Sequence, residues 1–142
     1  MTFERRKTRK IKVGNTFIGG DSTVKIQSML NIPAENIEGN ATQAKALESA
    51  GCEIIRTALP SMENIGLIEA LKKAVQIPVV ADIHFDYRLA LAAVDAGADK
   101  IRINPGNIGD RDRIKAVTDK CKIAGAPIRI GVNSGSVEKK LL

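Results

Sequence analysis

The sequence predicts an α/β protein that forms part of a (β/α)8 barrel, with an N-terminal hairpin followed by five strands that alternate with helices. A helix-ending glycine is followed, four or five residues later, by an arginine within an apolar strand. This pattern occurs three times, at Gly51 and Arg56, Gly97 and Arg102, and Gly125 and Arg129. The apolar residues are mainly Ile, Val, Leu and Ala, which suits a parallel sheet covered by helices. A doubly wound sheet is the alternative, and the missing Gly-x-Gly-x-x-Gly fingerprint weakens it.

The strands are predicted from short apolar runs bounded by turn residues. Residues 10–20 form a hairpin around Gly14-Asn15, which we expect to cap one end of the sheet because no helix follows it. The five strands of the series are predicted at 24–28, 53–57, 78–82, 100–103 and 128–132.

The helices are predicted from capping residues and apolar faces. Asn40 is expected to cap a helix that runs to Ala50, and Ser61 to begin the next helix. Asp86 caps a third helix, and a fourth spans 111–124. Ser136 is expected to cap a last helix of under two turns, too short to be stable alone. We therefore expect residues 1–142 to be one truncated barrel domain. We expect it to self-associate through its unpaired edge strands or through exposed apolar helix faces.

The net charge of +6 is concentrated at the N-terminus. Residues 1–12 hold six basic residues and one acidic residue. Such a segment is usually solvated, and no aromatic residue that could stack on bases is interleaved with it. Cys52 and Cys121 lack metal-site spacing and indicate a reducing compartment. No apolar run reaches the roughly 18 residues of a membrane span. We expect a cytoplasmic protein that binds neither membranes nor nucleic acid.

Arg56, Arg102 and Arg129 are predicted at equivalent strand positions. Because isoleucines alternate with the arginines in the last two strands, the guanidinium groups should point into the barrel if the isoleucines meet the helices. An unpaired guanidinium is costly there, so either carboxylates such as Asp82 or an anionic ligand should pair with it. Three arginines together favour a phosphate or diphosphate site, because the planar guanidinium suits phosphate.

Further polar residues follow the same strands at the carboxyl rim, where barrels place their ligand sites. These candidates are Asp82, His84, Asn104 and Asn133. The single histidine, His84, fits a role in binding or proton transfer as well as a plain hydrogen-bonding role. The segment from Gly106 to Asp110 precedes a helix N-terminus that could also offer N–H groups to phosphate.

Several motifs together resemble the 4-hydroxy-3-methylbut-2-enyl diphosphate synthase family of the non-mevalonate isoprenoid pathway. They are Gln27-Ser28-Met29, Ile55-Arg56, the run from Ala81 to Asp86, the run from Lys100 to Gly109, and the run from Pro127 to Ser136. The resemblance covers nearly the whole chain from Arg5 onward.

The resemblance implies an oxidoreductase that reductively opens 2-C-methyl-D-erythritol 2,4-cyclodiphosphate. Arg56, Arg102 and Arg129 would contact the diphosphate, with Asp82, His84, Asn104 and Asn133 in the same substrate-binding site. The family's [4Fe–4S] cluster is held by three cysteines and a glutamate on a separate C-terminal domain. A homodimer brings one subunit's barrel to its partner's cluster domain, and flavodoxin or ferredoxin supplies electrons.

The sequence departs from the family pattern in two ways. Leu30 stands where the family commonly has threonine, and the loop to Gly39 differs. Neither cysteine matches a cluster ligand, and the later barrel strands and the cluster domain are missing. We therefore expect this chain to contain no catalytic and no metal-binding residues, and to have no activity alone. The alternatives are a module that binds nucleic acid or an acidic surface through its basic tail, and another phosphate-binding barrel such as a pterin-type synthase.

Overall fold

The computed structural model describes residues 6–133 and residue 135, and within them a parallel sheet is flanked by helices. Five strands lie in chain order, β3-β4-β5-β6-β7, with parallel pairing throughout. The strands are β3 (Gln27–Met29), β4 (Ile54–Ala58), β5 (Val79–Ile83), β6 (Lys100–Ile103) and β7 (Ile128–Ile130). Sequential parallel order is the arrangement of a barrel wall, which confirms the predicted fold class. The helix predicted after Ser136 lies outside the described residues.

The helices lie between successive strands. They are α1 (Ile37–Ser49), α2 (Gly66–Ala74), α3 (Tyr87–Asp95), the short α4 (Pro105–Ile108) and α5 (Arg111–Ala124), with a 3-10 turn at Met62–Asn64 before α2. The core fills the space between these helices and the sheet, and it is built from aliphatic residues such as Ile55, Leu67 and Ile101. No helix within the described ranges is both long enough and apolar enough to cross a membrane.

The predicted hairpin forms from β1 (Ile11–Val13) and β2 (Thr16–Ile18), which pair antiparallel. Asn15 Nδ2 donates to the Gln76 carbonyl at 3.1 Å, and the turn at Gly14 has a φ of 54°. A β-carbon at Gly14 would lie 2.8 Å from the Asp99 carboxylate, so this turn requires glycine. Since Gln76 and Asp99 precede β5 and β6, the hairpin covers the amino end of the sheet and leaves the carboxyl rim uncovered.

Several predicted boundaries were wrong. Strand β7 ends at Ile130 rather than at 132, and α2 begins at Gly66, after a 3-10 turn, rather than directly after Ser61. Strand β3 begins at Gln27 rather than Val24, because the Glu53 carboxylate bonds Lys25 Nζ (2.8 Å) and the Ile26 amide (3.0 Å), and Val24 is 92% exposed. Asn40 does not cap α1: Asn36 does, accepting a bond from the Gly39 amide at 2.8 Å.

Asn40 instead lies fully buried inside the first turns of α1. Its Nδ2 donates to the carbonyls of Pro33 and Asn36, both at 2.9 Å. Asp86, by contrast, caps α3 as predicted, accepting a bond from the Arg88 amide at 2.9 Å.

Candidate anion-binding site

The register of the sheet places the predicted arginines on one face. Ala58, Asp82, Arg102 and Arg129 are direct neighbours across β4, β5, β6 and β7. In-register residues of parallel strands point to the same side, and Arg56 shares that side because it lies two residues before Ala58. The alternating residues Ile55, Ile101 and Ile103 are buried against the helices. The inner direction predicted for the arginines therefore follows from the register.

Asp82 joins two of the three arginines. Its carboxylate is 1% exposed, with Oδ2 accepting from Arg56 Nη2 at 2.5 Å and Nε at 3.2 Å. Oδ1 accepts from Arg102 Nη1 at 3.1 Å. One buried carboxylate thus holds two guanidinium groups that are 21% and 14% exposed. The carboxylate partner anticipated for the arginines is present, but it balances only one of their charges.

His84 lies at the same carboxylate. Its Nε2 is 3.4 Å from Asp82 Oδ2, and the imidazole is 45% exposed. His84 follows the end of β5, so it stands on the open rim above Asp82. A ligand seated on the arginines would meet an imidazole that a carboxylate orients.

The two predicted asparagines occupy different surroundings. Asn104 follows β6, is 1% exposed, and caps α4 by accepting a bond from the Gly106 amide at 3.1 Å. Asn133 is exposed beyond the end of β7.

The Asp110 carboxylate caps α5 by accepting a bond from the Arg113 amide at 3.0 Å. This negative charge opposes the phosphate-binding role expected at that helix N-terminus.

Arg129 is exposed and lies beside Arg102 in register, on the edge strand β7. Two residues further on, Gly131 is packed against the Arg102 guanidinium. A β-carbon at Gly131 would lie 2.5 Å from Nε and 2.6 Å from Nη2 of Arg102. A larger residue at position 131 would therefore have to displace the Nε–Nη2 edge of the Arg102 guanidinium.

The sequence prediction missed Lys100 and Gly131. Lys100 is 7% exposed and precedes Arg102 by two residues on the inner face. Burial lowers its pKa, and the charges of Arg129 and Arg56 lower that pKa further. The alternation of Lys100 and Arg102 with Ile101 and Ile103 would have identified the lysine, whereas no sequence signal indicated the contact at Gly131.

Leu30, where the loop departs from the resembled family, belongs to the core. Its side chain is 6% exposed, and its amide donates to the Arg56 carbonyl at 2.8 Å. The loop is also held by Gln43, whose side chain donates to Asn31 Oδ1 at 2.7 Å and accepts from the Asn31 amide at 3.2 Å. Leu30 therefore contributes packing to the hydrophobic core.

The described residues do not fit an iron–sulfur cluster. Cys52 and Cys121 are both buried and belong to separate elements of the fold. Cys52 Sγ lies 3.1 Å from the Ile54 carbonyl, and burial raises the pKa of the Cys121 thiol. Within residues 6–133 and 135, no group of three or more His, Cys, Asp or Glu side chains is placed to hold a metal.

Comparison with known proteins finds one family over nearly the whole chain. Residues 8–142 match the GcpE TIM-barrel domain. A protein of Caldicellulosiruptor saccharolyticus named 4-hydroxy-3-methylbut-2-en-1-yl diphosphate synthase (flavodoxin) is 55% identical over 135 residues, which cover 95% of this chain and 39% of that protein. The Bacillus pumilus protein of the same name is 54% identical over 138 residues, covering 97% and 37% respectively. The chain thus spans under two fifths of the length of these relatives.

Solved structures show the same fold at low identity. Yersinia pestis dihydropteroate synthase with a pterine-sulfa conjugate aligns with a TM-score of 0.65 and 16% identity, covering 84% of this chain and 48% of that one. The N-acetylmannosamine-6-phosphate 2-epimerase of Clostridium perfringens aligns with a TM-score of 0.55 and 13% identity, covering 77% and 51%. At these identities the likeness supports the fold alone.

Proposed function

The chain belongs to the GcpE TIM-barrel domain family, and on that premise we propose that it supplies the diphosphate-binding wall of a 4-hydroxy-3-methylbut-2-en-1-yl diphosphate synthase. The whole enzyme would reductively open 2-C-methyl-D-erythritol 2,4-cyclodiphosphate in isoprenoid biosynthesis. The names of relatives that are 54–55% identical to this chain support the activity. The geometry of the inner face supports the part that these residues play in it.

The main support for the proposal is the excess of positive charge around Asp82. Arg56, Arg102 and Arg129 share one face of the sheet, and Asp82 is the only carboxylate on that face within the described strands. Arg56 and Arg102 are partly buried and share one carboxylate, so one of their two positive charges is not balanced. A diphosphate supplies the missing negative charge and matches the planar donor geometry of arginine.

The remaining rim residues would act beside the arginines. Asp82 would position Arg56 and Arg102 by the bonds that it already accepts. His84, Asn104 and Asn133 would contribute hydrogen-bonding groups around the substrate, since each follows the carboxyl end of a strand. These assignments match the positions that the family resemblance implies.

The proposal places the other components of the enzyme outside the described residues. The [4Fe–4S] cluster would supply reducing electrons and would be held by ligands of the longer protein, because Cys52 and Cys121 do not fit it. Flavodoxin, which the names of the relatives include, or ferredoxin would be the donor. A homodimer would join the barrel to its partner's cluster domain. The free thiols of Cys52 and Cys121 support a cytoplasmic location.

Calorimetric titration of the purified 142-residue chain with inorganic pyrophosphate tests the proposal. Arg56→Gln should weaken binding by about tenfold or more, since it removes a charge-assisted hydrogen-bond donor. Arg9→Gln is the matched control, because it makes the same chemical change at an exposed residue before the hairpin. Circular dichroism would verify that each variant is folded.

The two variants also separate the proposal from the basic-tail alternative. Under the proposal, only Arg56→Gln weakens pyrophosphate binding. If Arg9→Gln weakened binding and Arg56→Gln did not, the exposed basic segment would be the anion site. No pyrophosphate binding by the folded wild-type chain would contradict the proposal.

A further inference from the structure

Lys100 is a cation on the inner face that the resemblance does not assign. It is the first residue of β6 and is 7% exposed, although lysine is rarely buried without a partner. In the sheet register it adjoins Val80, which in turn adjoins Arg56. Lys100 therefore lies in the same layer as Arg56, one layer deeper than Asp82 and Arg102.

The ammonium group of Lys100 has no counter-charge within the described part of the chain. The ion pairs found there use other lysines: Lys10, Lys25, Lys72, Lys115 and Lys120. The single inner-face carboxylate, Asp82, is already occupied by Arg56 and Arg102. A buried lysine that stabilised only the fold would be expected to lie beside a carboxylate or backbone acceptors.

Neighbouring cations disfavour the charged form of Lys100. Burial lowers the pKa of Lys100 first, and the positive charges of Arg129 and Arg56 lower that pKa further. Both guanidinium groups therefore act on the ammonium across the inner face. By the register of the sheet, the three residues lie on the same face of β4, β6 and β7.

We propose that Lys100 is a further ligand-binding residue of the anion site, placed in its deeper layer with Arg56 to bind a phosphoryl oxygen of an anion that Arg102 and Arg129 hold nearer the rim. This inference rests on the proposed function and extends it. Lysine fits the position because its compact ammonium can approach one oxygen as a point charge, whereas arginine requires a planar, two-point contact. Arg102 and Arg129 would hold the outer part of a diphosphate, while Lys100 and Arg56 hold the inner part.

The test is pyrophosphate titration of the 142-residue chain with Lys100→Met, which keeps the length of the side chain and removes its charge. We expect affinity to fall by about tenfold or more. The midpoint of thermal unfolding should stay the same or rise, because a buried cation without a counter-charge has been removed. Lys73→Met is the matched control, since Lys73 is exposed on α2 and its loss changes the net charge equally.

A second measurement does not depend on the variant folding. Acetylation of the wild-type chain, followed by mass spectrometry of its peptides, should show that pyrophosphate slows modification of Lys100 and leaves Lys73 unchanged. Equal protection of both lysines would overturn the proposal.

The outcomes separate this inference from the proposed function. Wild-type binding that Lys100→Met leaves intact overturns the role of Lys100 alone. A Lys100→Met chain that binds normally and unfolds at a lower temperature shows a structural lysine and also overturns it. Absence of pyrophosphate binding by the wild-type chain overturns the anion site itself, and the role of Lys100 with it.

Discussion

Asp82→Asn tests how the two guanidinium groups are held in the absence of ligand. The substitution keeps the size of the side chain but removes the negative charge that Arg56 and Arg102 share. The amide nitrogen of asparagine is a donor, so it would face one of the arginine donors instead of accepting from it. Both arginines would then lack their counter-charge in a partly buried setting.

The expected loss of stability can be estimated from the solvent exposure of the two arginine side chains. Removing one partner of a fully buried ion pair costs about 3–5 kcal/mol. Because Arg56 and Arg102 keep some contact with water, at 21% and 14% exposure, we expect a loss near the lower limit, about 3 kcal/mol. For a domain of this length that corresponds to a fall of about 10 °C in the midpoint of thermal unfolding.

Thermal unfolding with and without pyrophosphate is the assay. Pyrophosphate should raise the midpoint of Asp82→Asn more than that of the wild type, since the ligand replaces the missing charge and binding stabilises the folded state. Asp95→Asn is the control: Asp95 is 66% exposed and pairs with Lys120 at the surface, so its loss should cost less than about 1 kcal/mol. An Asp82→Asn chain as stable as the wild type would refute the reasoning.

Two further predictions concern Gly131 and Lys100. Gly131→Ala should displace Arg102 and weaken pyrophosphate binding, because its β-carbon would lie 2.5 Å from Arg102 Nε. Gly66→Ala is the control: its β-carbon would meet only Ile37 Cδ1, at 4.0 Å, so binding should not change. Titration calorimetry of both variants with pyrophosphate tests this prediction. The pKa of Lys100 is lowered on folding from its ordinary value of 10.5. At pH values between the lowered pKa and 10.5, the unfolded chain binds more protons than the folded chain. The free energy of unfolding should therefore rise with pH in that range. Denaturant unfolding across that pH range should show the wild type gaining stability relative to Lys100→Met. If the difference in the free energy of unfolding between the two chains did not change with pH, the burial of a charged ammonium would be contradicted.

The repeating part of the fold was predictable because its signals are local. The third and fourth predicted strands lie within one residue of β5 and β6, since Pro78 and Gly97 mark the turns that precede them. Strand β3 was misplaced because the pairing of Lys25 and Ile26 with Glu53 is a contact across 27 or 28 positions. The cap of α1 was misplaced because both Asn36 and Asn40 suit that role, and only tertiary packing selects between them.

The candidate site was predictable as a set of side chains on one face. Strand alternation and the common carboxyl rim are enough to bring Arg56, Asp82 and Arg102 together. The division of the Asp82 oxygens between two arginines depends on side-chain geometry, which periodicity does not contain. The contact of Arg102 with Gly131 depends on it as well.

The hairpin at the amino end has an electrostatic consequence for the opposite end. Val13 is fully shielded from water, and the turn at Gly14 closes against Asp99 and Pro78. A plug of this kind keeps a low-dielectric medium beneath the inner-face cations, where charges are screened far less than in water. Walls of low dielectric also concentrate a field toward the solvent-filled opening. The attraction of an approaching anion would therefore be directed outward through the carboxyl end of the sheet. It would weaken if the hairpin were loosened, even though the hairpin turn lies at the opposite, amino end.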